Sequence, residues 1–142
     1  MAIKSIQDIL PLVDHPSRYL GTEINTQPKD LAESQIKIAL AFPDLYEIGT
    51  SHFGMQILYH ILNQQPEIAA ERVYAPAEDI EALLRASDLP LVSLESRNPL
   101  KQFDIIGFSL LYELNYTNVL NILDLAGIPL RASQRTGSDP II

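Results

Sequence analysis

The 142-residue chain carries a formal net charge of −8 and contains no cysteine. A chain of this length fits one domain, and 46 % apolar with 20 % charged residues is the composition of a globular protein. Its ten Lys and Arg residues are scattered from Lys4 to Arg135, so the clustered positive charge that binds nucleic acid is excluded. The absence of cysteine excludes disulfides, thiolate nucleophiles and Cys-ligated zinc or iron–sulfur centres within these residues.

No apolar run approaches the about 18 residues of a membrane-spanning helix. The N-terminal residues also lack the basic region and small-residue cleavage site of a signal peptide. A cytoplasmic protein without a membrane contact is therefore expected.

The first 34 residues are predicted to form a short helix followed by an extended arm. Ser5 and Asp8 open an amphipathic helix that runs to about Val13, with an acidic first turn that suits the helix dipole. Residues 15–34 contain Pro16, Gly21 and Pro28 and show little periodicity, which is typical of an arm. Residues 35–142 are predicted to form the α/β domain.

Strands and helices alternate from residue 36 onward. Residues 36–42, IKIALAF, carry large apolar side chains on one face and Ala39 and Ala41 on the other, which predicts a strand covered on both faces. Ser51 is predicted to cap a helix to about Gln64. Its expected buried stripe is Phe53, Ile57, Leu58, Ile61 and Leu62.

The later elements follow the same spacing. The sequence predicts strands at 72–75, 91–94 and 103–110, a helix that starts after Pro76 with Ile80, Leu83 and Leu84 buried, and a helix over 112–126 ended by Gly127. The buried positions expected on this last helix are Leu114, Val119, Leu120, Ile122 and Leu123. The pattern predicts a doubly wound (Rossmann/flavodoxin-like), mostly parallel, three-layer α/β fold. Residues 139–142 resemble the start of another strand, so we expect the fold to be incomplete at its C-terminus.

A ligand is expected where the loops after the first and third helix-flanked strands flank a switch point of the sheet. These loops are residues 43–54 and 109–116, and both are rich in polar and aromatic side chains. Neither contains a GxGxxG or GxxxxGK[ST] phosphate loop, so nucleotide binding lacks its usual basis. A free-standing flavodoxin or response regulator is disfavoured as well, because the first loop reads PDLYE and Ser109 stands where a response regulator needs its phospho-accepting Asp.

Several side chains of these loops admit two interpretations. His52 either faces a ligand or is an ordinary first-turn residue, and Ser109 either binds a ligand oxygen or bonds a neighbouring backbone group. Glu47 and Glu113 form an acid–base pair across the crevice, or are solvated charges. Tyr112 and Tyr116, one helical turn apart, stack on a flat ligand or pack on the protein.

The first loop resembles a motif of cobalamin-binding domains. Residues 44–49, DLYEIG, have the frame of the DxHxxG motif, and residues 109–111, SLL, resemble the downstream SxL element. The resemblance implies cobalamin as a possible cofactor. Tyr46 replaces the histidine that binds cobalt, and the 59 residues between Gly49 and Ser109 exceed the usual spacing. The candidate cofactor-binding residues are Asp44, Tyr46, Gly49, Ser51, His52, Ser109, Leu111 and Tyr112, with no catalytic or metal-binding residue expected.

Nearly the whole sequence is similar to the amino-terminal part of a bacterial group of cobalamin-domain radical S-adenosylmethionine (radical SAM) proteins. The segments that carry the similarity are YLGTEIN, FPDLYEIG, SHFGMQILYHILN and SLESRNPLKQFDIIGFSLLYELNYTNVLNILDLAGIPL. The resemblance implies a Gly-Gly element and a barrel with a CxxxCxxC motif for a [4Fe-4S] cluster in the rest of the parent protein.

Two functions follow from this resemblance. The first is an accessory domain that is not catalytic alone and holds cobalamin, or a vestigial cobalamin pocket, near the cluster and S-adenosylmethionine of the barrel domain in the same polypeptide. The second is an interaction module of the same parent that recruits substrate or braces the barrel. Pairing between copies through an exposed sheet edge is expected only as an artefact.

Overall fold

The computed structural model describes residues 3–142 and places a parallel sheet at the centre of the fold. Its three strands are β1 (Ile36–Phe42), β2 (Ile68–Tyr74) and β3 (Ile105–Phe108), in the order β2-β1-β3. β1 pairs along its whole length with β2 and over four residues with β3. The prediction that the first strand is central is confirmed.

Helices lie on both faces of the sheet. In chain order they are α1 (Ile6–Ile9), α2 (Tyr46–Gly49), α3 (Phe53–Gln64), α4 (Glu78–Ala86) and α5 (Tyr116–Leu125). α3 lies on one face, whereas buried residues of α1, α4 and α5 pack in a larger cluster on the other. This arrangement confirms the doubly wound α/β fold.

The two faces of β1 explain its sequence. Ala39 and Ala41 belong to the cluster shared with α4 and α5, while Leu40 and Phe42 pack with Met55 of α3. Burying a side chain of the size of Leu or Phe contributes about 1.5–3 kcal/mol, so this strand anchors both halves of the core.

The predicted buried stripe of α3 is wrong. The helix buries Met55, Tyr59 and Asn63, while Phe53, Ile57, Leu58 and Ile61 are exposed and Leu62 is only partly buried. Asn63 fixes this orientation, because its amide bonds both the carbonyl and the N–H of Ala70 in β2 at 2.9 and 3.0 Å.

Several predicted boundaries also differ. β2 begins at Ile68 rather than residue 72, and residues 91–94 form no strand but only a bridge between Val92 and Pro99. β3 is limited to residues 105–108, and α5 begins at Tyr116 after a 3-10 turn. On α5, Ile122 and Leu123 are buried as predicted, whereas Leu114 precedes the helix and is exposed, as is Leu120. The predicted glycine cap is confirmed, since Gly127 has a φ of +67°.

The N-terminal segment joins the core of the domain. α1 continues into a 3-10 turn at Leu10–Leu12, and Ile9, Val13 and Leu31 lie in the larger cluster. The carboxylate of Asp8 accepts the N–H groups of Lys4 and Ser5, which satisfies the start of the helix. Met1 and Ala2 of the predicted 1–34 segment lie outside the described residues.

At the other end, Ile141 forms a parallel bridge to Ile105 on the free side of β3. The strand start predicted at 139–142 is thus seen as a single bridge. Within residues 3–142, no helix combines the length and the apolar character that crossing a membrane requires.

Candidate functional site

The loops after β1 and β3 meet at the carboxyl edge of the sheet. The side-chain amide of Asn118 in α5 donates to the carbonyl of Pro43 at 2.9 Å, and the N–H of Ser109 donates to the carbonyl of Ala41 at the same distance. The structure therefore brings the two predicted loops together at the switch point.

Tyr46 is bonded to the N-terminal arm. Its hydroxyl donates to Oε1 of Glu23 at 2.6 Å, and its ring packs edge-on against Tyr74 with centroids 5.4 Å apart. Burial and the hydrogen bond to the Glu23 carboxylate raise the pKa of Tyr46 well above its ordinary value. The phenol is therefore neutral at physiological pH, and its proton is donated to the Glu23 carboxylate.

Glu23 links Tyr46 to a buried arginine. Arg72 in β2 bonds Glu23 at 3.0 Å and Glu95 at 2.7 Å, and its guanidinium lies 4.9 Å from the centroid of the Tyr59 ring. Burial raises the pKa of Glu95 despite the opposing charge of Arg72. We call Glu23, Tyr46, Arg72 and Glu95 the arm hub, because they join the arm to the first loop and the sheet.

Of the arm hub, only Tyr46 was among the residues predicted from the sequence. A signal for it was present, because Glu71 and Arg72 interrupt an otherwise apolar segment. Charged residues inside a buried strand require partners of opposite charge or hydrogen bonds. The partners Glu23 and Glu95 lie 49 and 23 residues away, and nothing in the local pattern identifies them.

The remaining candidates of the first loop have local partners. Oδ1 of Asp44 accepts the N–H of Leu45 at 2.8 Å, and the hydroxyl of Ser51 donates to the carbonyl of Glu47 at 3.0 Å. Gly49 is buried against Tyr74, whose ring a Cβ at this position would overlap. All three residues have a role in the geometry of the loop.

His52, and not Ser51, caps α3. Its Nδ1 accepts the N–H of Met55 at 3.2 Å, and its ring lies 5.3 Å from that of Phe42. The predicted Ser51 cap is wrong because the Ser51 hydroxyl is bonded back to α2.

The loop after β3 is mainly apolar and exposed. Ser109 is partly buried at the end of the strand, and the side chains that follow it face solvent. The exposed residues of this loop and of the start of α5, which we call the apolar loop patch, are Leu110, Leu111, Tyr112, Leu114 and Tyr116. Next to them Asn115 is buried, and its side-chain Nδ2 has no acceptor among the described residues.

Glu47 pairs with Arg18 and not with Glu113. It accepts a hydrogen bond from Arg18 at 2.6 Å, which lowers the pKa of Glu47. Glu113 is exposed in the 3-10 turn before α5. A raised carboxyl pKa, as general acid catalysis needs, is therefore not found at Glu47. Within residues 3–142, no three His, Asp or Glu side chains gather as a metal site would require.

The donor set does not fit a cobalamin bound through a protein nitrogen. The position of the expected histidine holds a neutral phenol bonded to Glu23, and the nearby imidazole of His52 uses Nδ1 to cap α3. Any cobalamin at this edge would lack a lower ligand from the DxHxxG position.

The comparisons with known proteins gave one family. A family model described as radical SAM proteins, N-terminal, matches residues 54–142, which is more than half of the chain. The match runs from the first turn of α3 to the end of the sequence, and so includes the apolar loop patch. No curated protein and no solved structure matches the chain.

Proposed function

The chain belongs to the radical SAM N-terminal family, and from this premise we propose that it is an accessory domain that docks on the catalytic domain of its radical SAM protein through the carboxyl edge of its sheet. The observation that carries the proposal is the apolar loop patch. Five large apolar or aromatic residues lie exposed within seven positions of the loop and helix start. Large apolar side chains left exposed this close together mark interaction sites.

The proposal assigns the chemistry to the rest of the polypeptide. Ligation of a [4Fe-4S] cluster requires thiolates, and this sequence contains no cysteine. The residues of this chain would position the catalytic domain and cover it from solvent. The arm hub supports that role, because it fixes the first loop at the same edge of the sheet.

A charged substitution in the apolar loop patch tests the docking. Leu114 is 86 % exposed in this chain, so Leu114→Asp changes little unless another domain covers it. In the intact radical SAM protein we expect reductive cleavage of S-adenosylmethionine to fall by about ten-fold, the effect of losing one central interface residue. The cleavage is measured as 5′-deoxyadenosine formed, with iron content determined in parallel.

Leu12→Asp is the matched control. Leu12 is also an exposed leucine, but it lies in the turn after α1 and is not part of the apolar loop patch. It should retain the activity of the unaltered protein. Equal activity of the Leu114→Asp and Leu12→Asp proteins would overturn the proposed docking.

Cobalamin binding without a protein ligand is a second candidate. The Nδ2 of Asn115, which has no acceptor within residues 3–142, favours it together with Ser109 at the end of β3, since a buried donor without an acceptor is costly and suits a polar ligand group. The test is a titration of the intact protein with hydroxocobalamin, followed by gel filtration. Co-elution that is lost in Asn115→Leu would support this candidate, and elution of free cobalamin would remove it.

A further inference from the structure

Arg97 has a backbone conformation that residues other than glycine rarely adopt. Its φ is +59°, and within residues 3–142 only Asp88 shares a positive φ among the non-glycine residues. Residues held in this region persist only where their surroundings fix them, and they concentrate at functional positions such as ligand clamps. The conformation of Arg97 therefore points to a binding role.

The turn that contains Arg97 is bonded both to itself and to β2. The hydroxyl of Ser93 accepts the N–H of Asn98 at 3.1 Å, and the N–H of Ser93 donates to the carbonyl of Asn98 at 2.9 Å. The carboxylate of Glu71 accepts the N–H and the hydroxyl of Ser96 at 3.2 and 2.7 Å. Because Glu71 is buried in β2, these bonds hold the backbone at Arg97 in one position.

Arg97 lines a cleft of about 310 Å³ between residues 4–7 and residues 89–99, which we call the Arg97 cleft. This volume lies at the lower end of the about 300–1,000 Å³ that small-ligand sites enclose. The polar lining residues are Lys4, Ser5, Gln7 and Arg97. No acidic side chain of the described residues lines the cleft. Its apolar walls are Ile6, Leu89, Pro90, Val92 and Pro99.

The Arg97 cleft is positively charged in a chain whose net charge is −8. Arg18, Arg72 and Arg85 each pair with a carboxylate, whereas Arg97 and Lys4 take part in none of the ion pairs formed within residues 3–142. Arg97 is also partly buried, so solvent screens its charge less than that of an exposed arginine. A small anion is the ligand whose charge complements this cleft.

A second cavity, of about 30 Å³, adjoins the Arg97 cleft, because Ile6, Val92 and Arg97 line both. It has room for about two water molecules at about 10–15 Å³ each. Its other arginine, Arg18, is neutralised by Glu47. An organic anion would therefore occupy the cleft and not this cavity.

The lining of the Arg97 cleft favours a carboxylate with an apolar body over a phosphate. The planar guanidinium matches the two oxygens of a carboxylate. Phosphate sites commonly add several backbone N–H groups, but Pro90 and Pro99 have none and the N–H groups of Lys4 and Ser5 donate to Asp8. The apolar walls suit a short carbon chain or ring instead.

We propose that the Arg97 cleft binds a small organic monocarboxylate, with the head group on the guanidinium of Arg97 and the apolar body against Ile6 and Val92. This site goes beyond the proposed function, since the cleft shares no residue with the apolar loop patch. Binding in the cleft and docking through the patch can therefore fail independently.

Arginine modification in the unaltered, intact radical SAM protein tests the proposal. Phenylglyoxal is added with and without hexanoate, and the modified arginines are quantified by peptide mass spectrometry. Hexanoate at about four times its Kd should slow the modification of Arg97 by about five-fold, because the unliganded fraction falls as 1/(1 + [L]/Kd). The exposed Arg131 is the control and should react at an unchanged rate. Equal effects at the two arginines, or no protection of Arg97, would overturn the proposal.

Acetate and inorganic phosphate are the matched probes for the class of ligand. Acetate has the same head group without the apolar body, so it should require at least about ten-fold higher concentration for equal protection, since each buried methylene group strengthens binding. Phosphate should also protect Arg97 less than hexanoate does. Equal potency of acetate and hexanoate, or stronger protection by phosphate, would overturn the assignment to a carboxylate with an apolar body.

Arg97→Gly separates binding from folding. Glycine adopts a φ of +59° without strain, so the thermal unfolding midpoint should change no more than it does in the control Asp88→Gly. Hexanoate binding, measured by saturation-transfer difference NMR on the intact protein, should weaken by at least about ten-fold in Arg97→Gly, as expected for a lost hydrogen bond to a charged group, and stay unchanged in Asp88→Gly. Retained binding in Arg97→Gly, or a midpoint well below that of Asp88→Gly, would overturn the proposal.

Discussion

Tyr46 occupies the position of the ligand histidine in the DxHxxG motif, but its side chain makes contacts within the fold. The Tyr46 hydroxyl donates a hydrogen bond to one carboxylate oxygen of Glu23, and Arg72 donates to the other. Burial opposes the ionisation of Glu23, but the hydrogen bond from Tyr46 and the charge of Arg72 outweigh it, and the pKa of Glu23 lies below its ordinary 4.5. The ionised form of Glu23 is therefore the one that the fold stabilises.

This pKa predicts an acid-dependent loss of stability. A carboxyl with a lowered folded pKa contributes stability above its unfolded pKa and loses it as the pH falls through the folded value. Glu23→Gln should lower the free energy of unfolding by about 1 kcal/mol at about pH 6.5, and by less at about pH 3. Urea unfolding of both proteins at the two pH values measures this, and an unchanged difference would contradict it.

Gly49 provides a second prediction at this scale. A Cβ at this position would overlap the Tyr74 ring, which is itself held between Gly49 and Tyr46. Gly49→Ala should therefore destabilise the chain by about 1–3 kcal/mol through overpacking. Gly137→Ala is the control, because nothing lies within 4 Å of a Cβ there. Thermal unfolding of the two variants should differ, and equal midpoints would refute the packing argument.

At the scale of elements, α3 exposes more of its large apolar side chains than it buries. Met55 is 1 % exposed, whereas Ile57 on the outward side is 56 % exposed. Met55→Ala should cost about 2–5 kcal/mol of stability. Ile57→Ala should cost less than about 1 kcal/mol. Denaturant unfolding measures both, and a larger loss for Ile57→Ala would mean that the helix packs through its other side.

Sequence-based prediction succeeded for β1, but it failed for the packed side of α3 and for the start of β2. β1 could be predicted because a large apolar side chain occupies every second position over its seven residues. The packed side of α3 could not, because apolar residues occur on most of its circumference and the choice depends on Asn63 meeting the backbone of β2. β2 was underestimated because Glu71 and Arg72 resemble surface residues until their distant partners are known.

The candidate site, too, could be predicted only in part from the sequence. The two loops could be placed together because both follow parallel strands, and adjacent strands bring their carboxyl ends to one edge. The engagement of Tyr46 by Glu23 could not be predicted, because the arm shows no periodicity and its path depends on contacts with β2. Ligand binding by the eight candidate residues stays a prediction.

At the scale of the whole molecule, Arg72 holds the arm against the domain. Removing it leaves Glu95, with a side chain that is 2 % exposed, as an uncompensated buried charge. Arg72→Met should therefore cost about 3–5 kcal/mol and expose residues 15–30 to proteolysis. Arg85→Met, which removes only surface contacts with Glu81, Asn121 and Asp124, should leave the free energy of unfolding nearly unchanged. An uncleaved arm in Arg72→Met would show that the arm is held by other contacts.

The central position of β1 also bears on the order of events during synthesis. Ile38 pairs with Ile105, which follows it by 67 residues, and β2 lies between them in the chain. At a synthesis rate of about 5–20 residues per second, β1 leaves the ribosome roughly 3–13 s before its second neighbour is available. During that interval one side of an apolar strand has no hydrogen-bonding partner, so the nascent chain is most prone to misassembly then, and chaperones that bind extended apolar segments would find their target at residues 36–42.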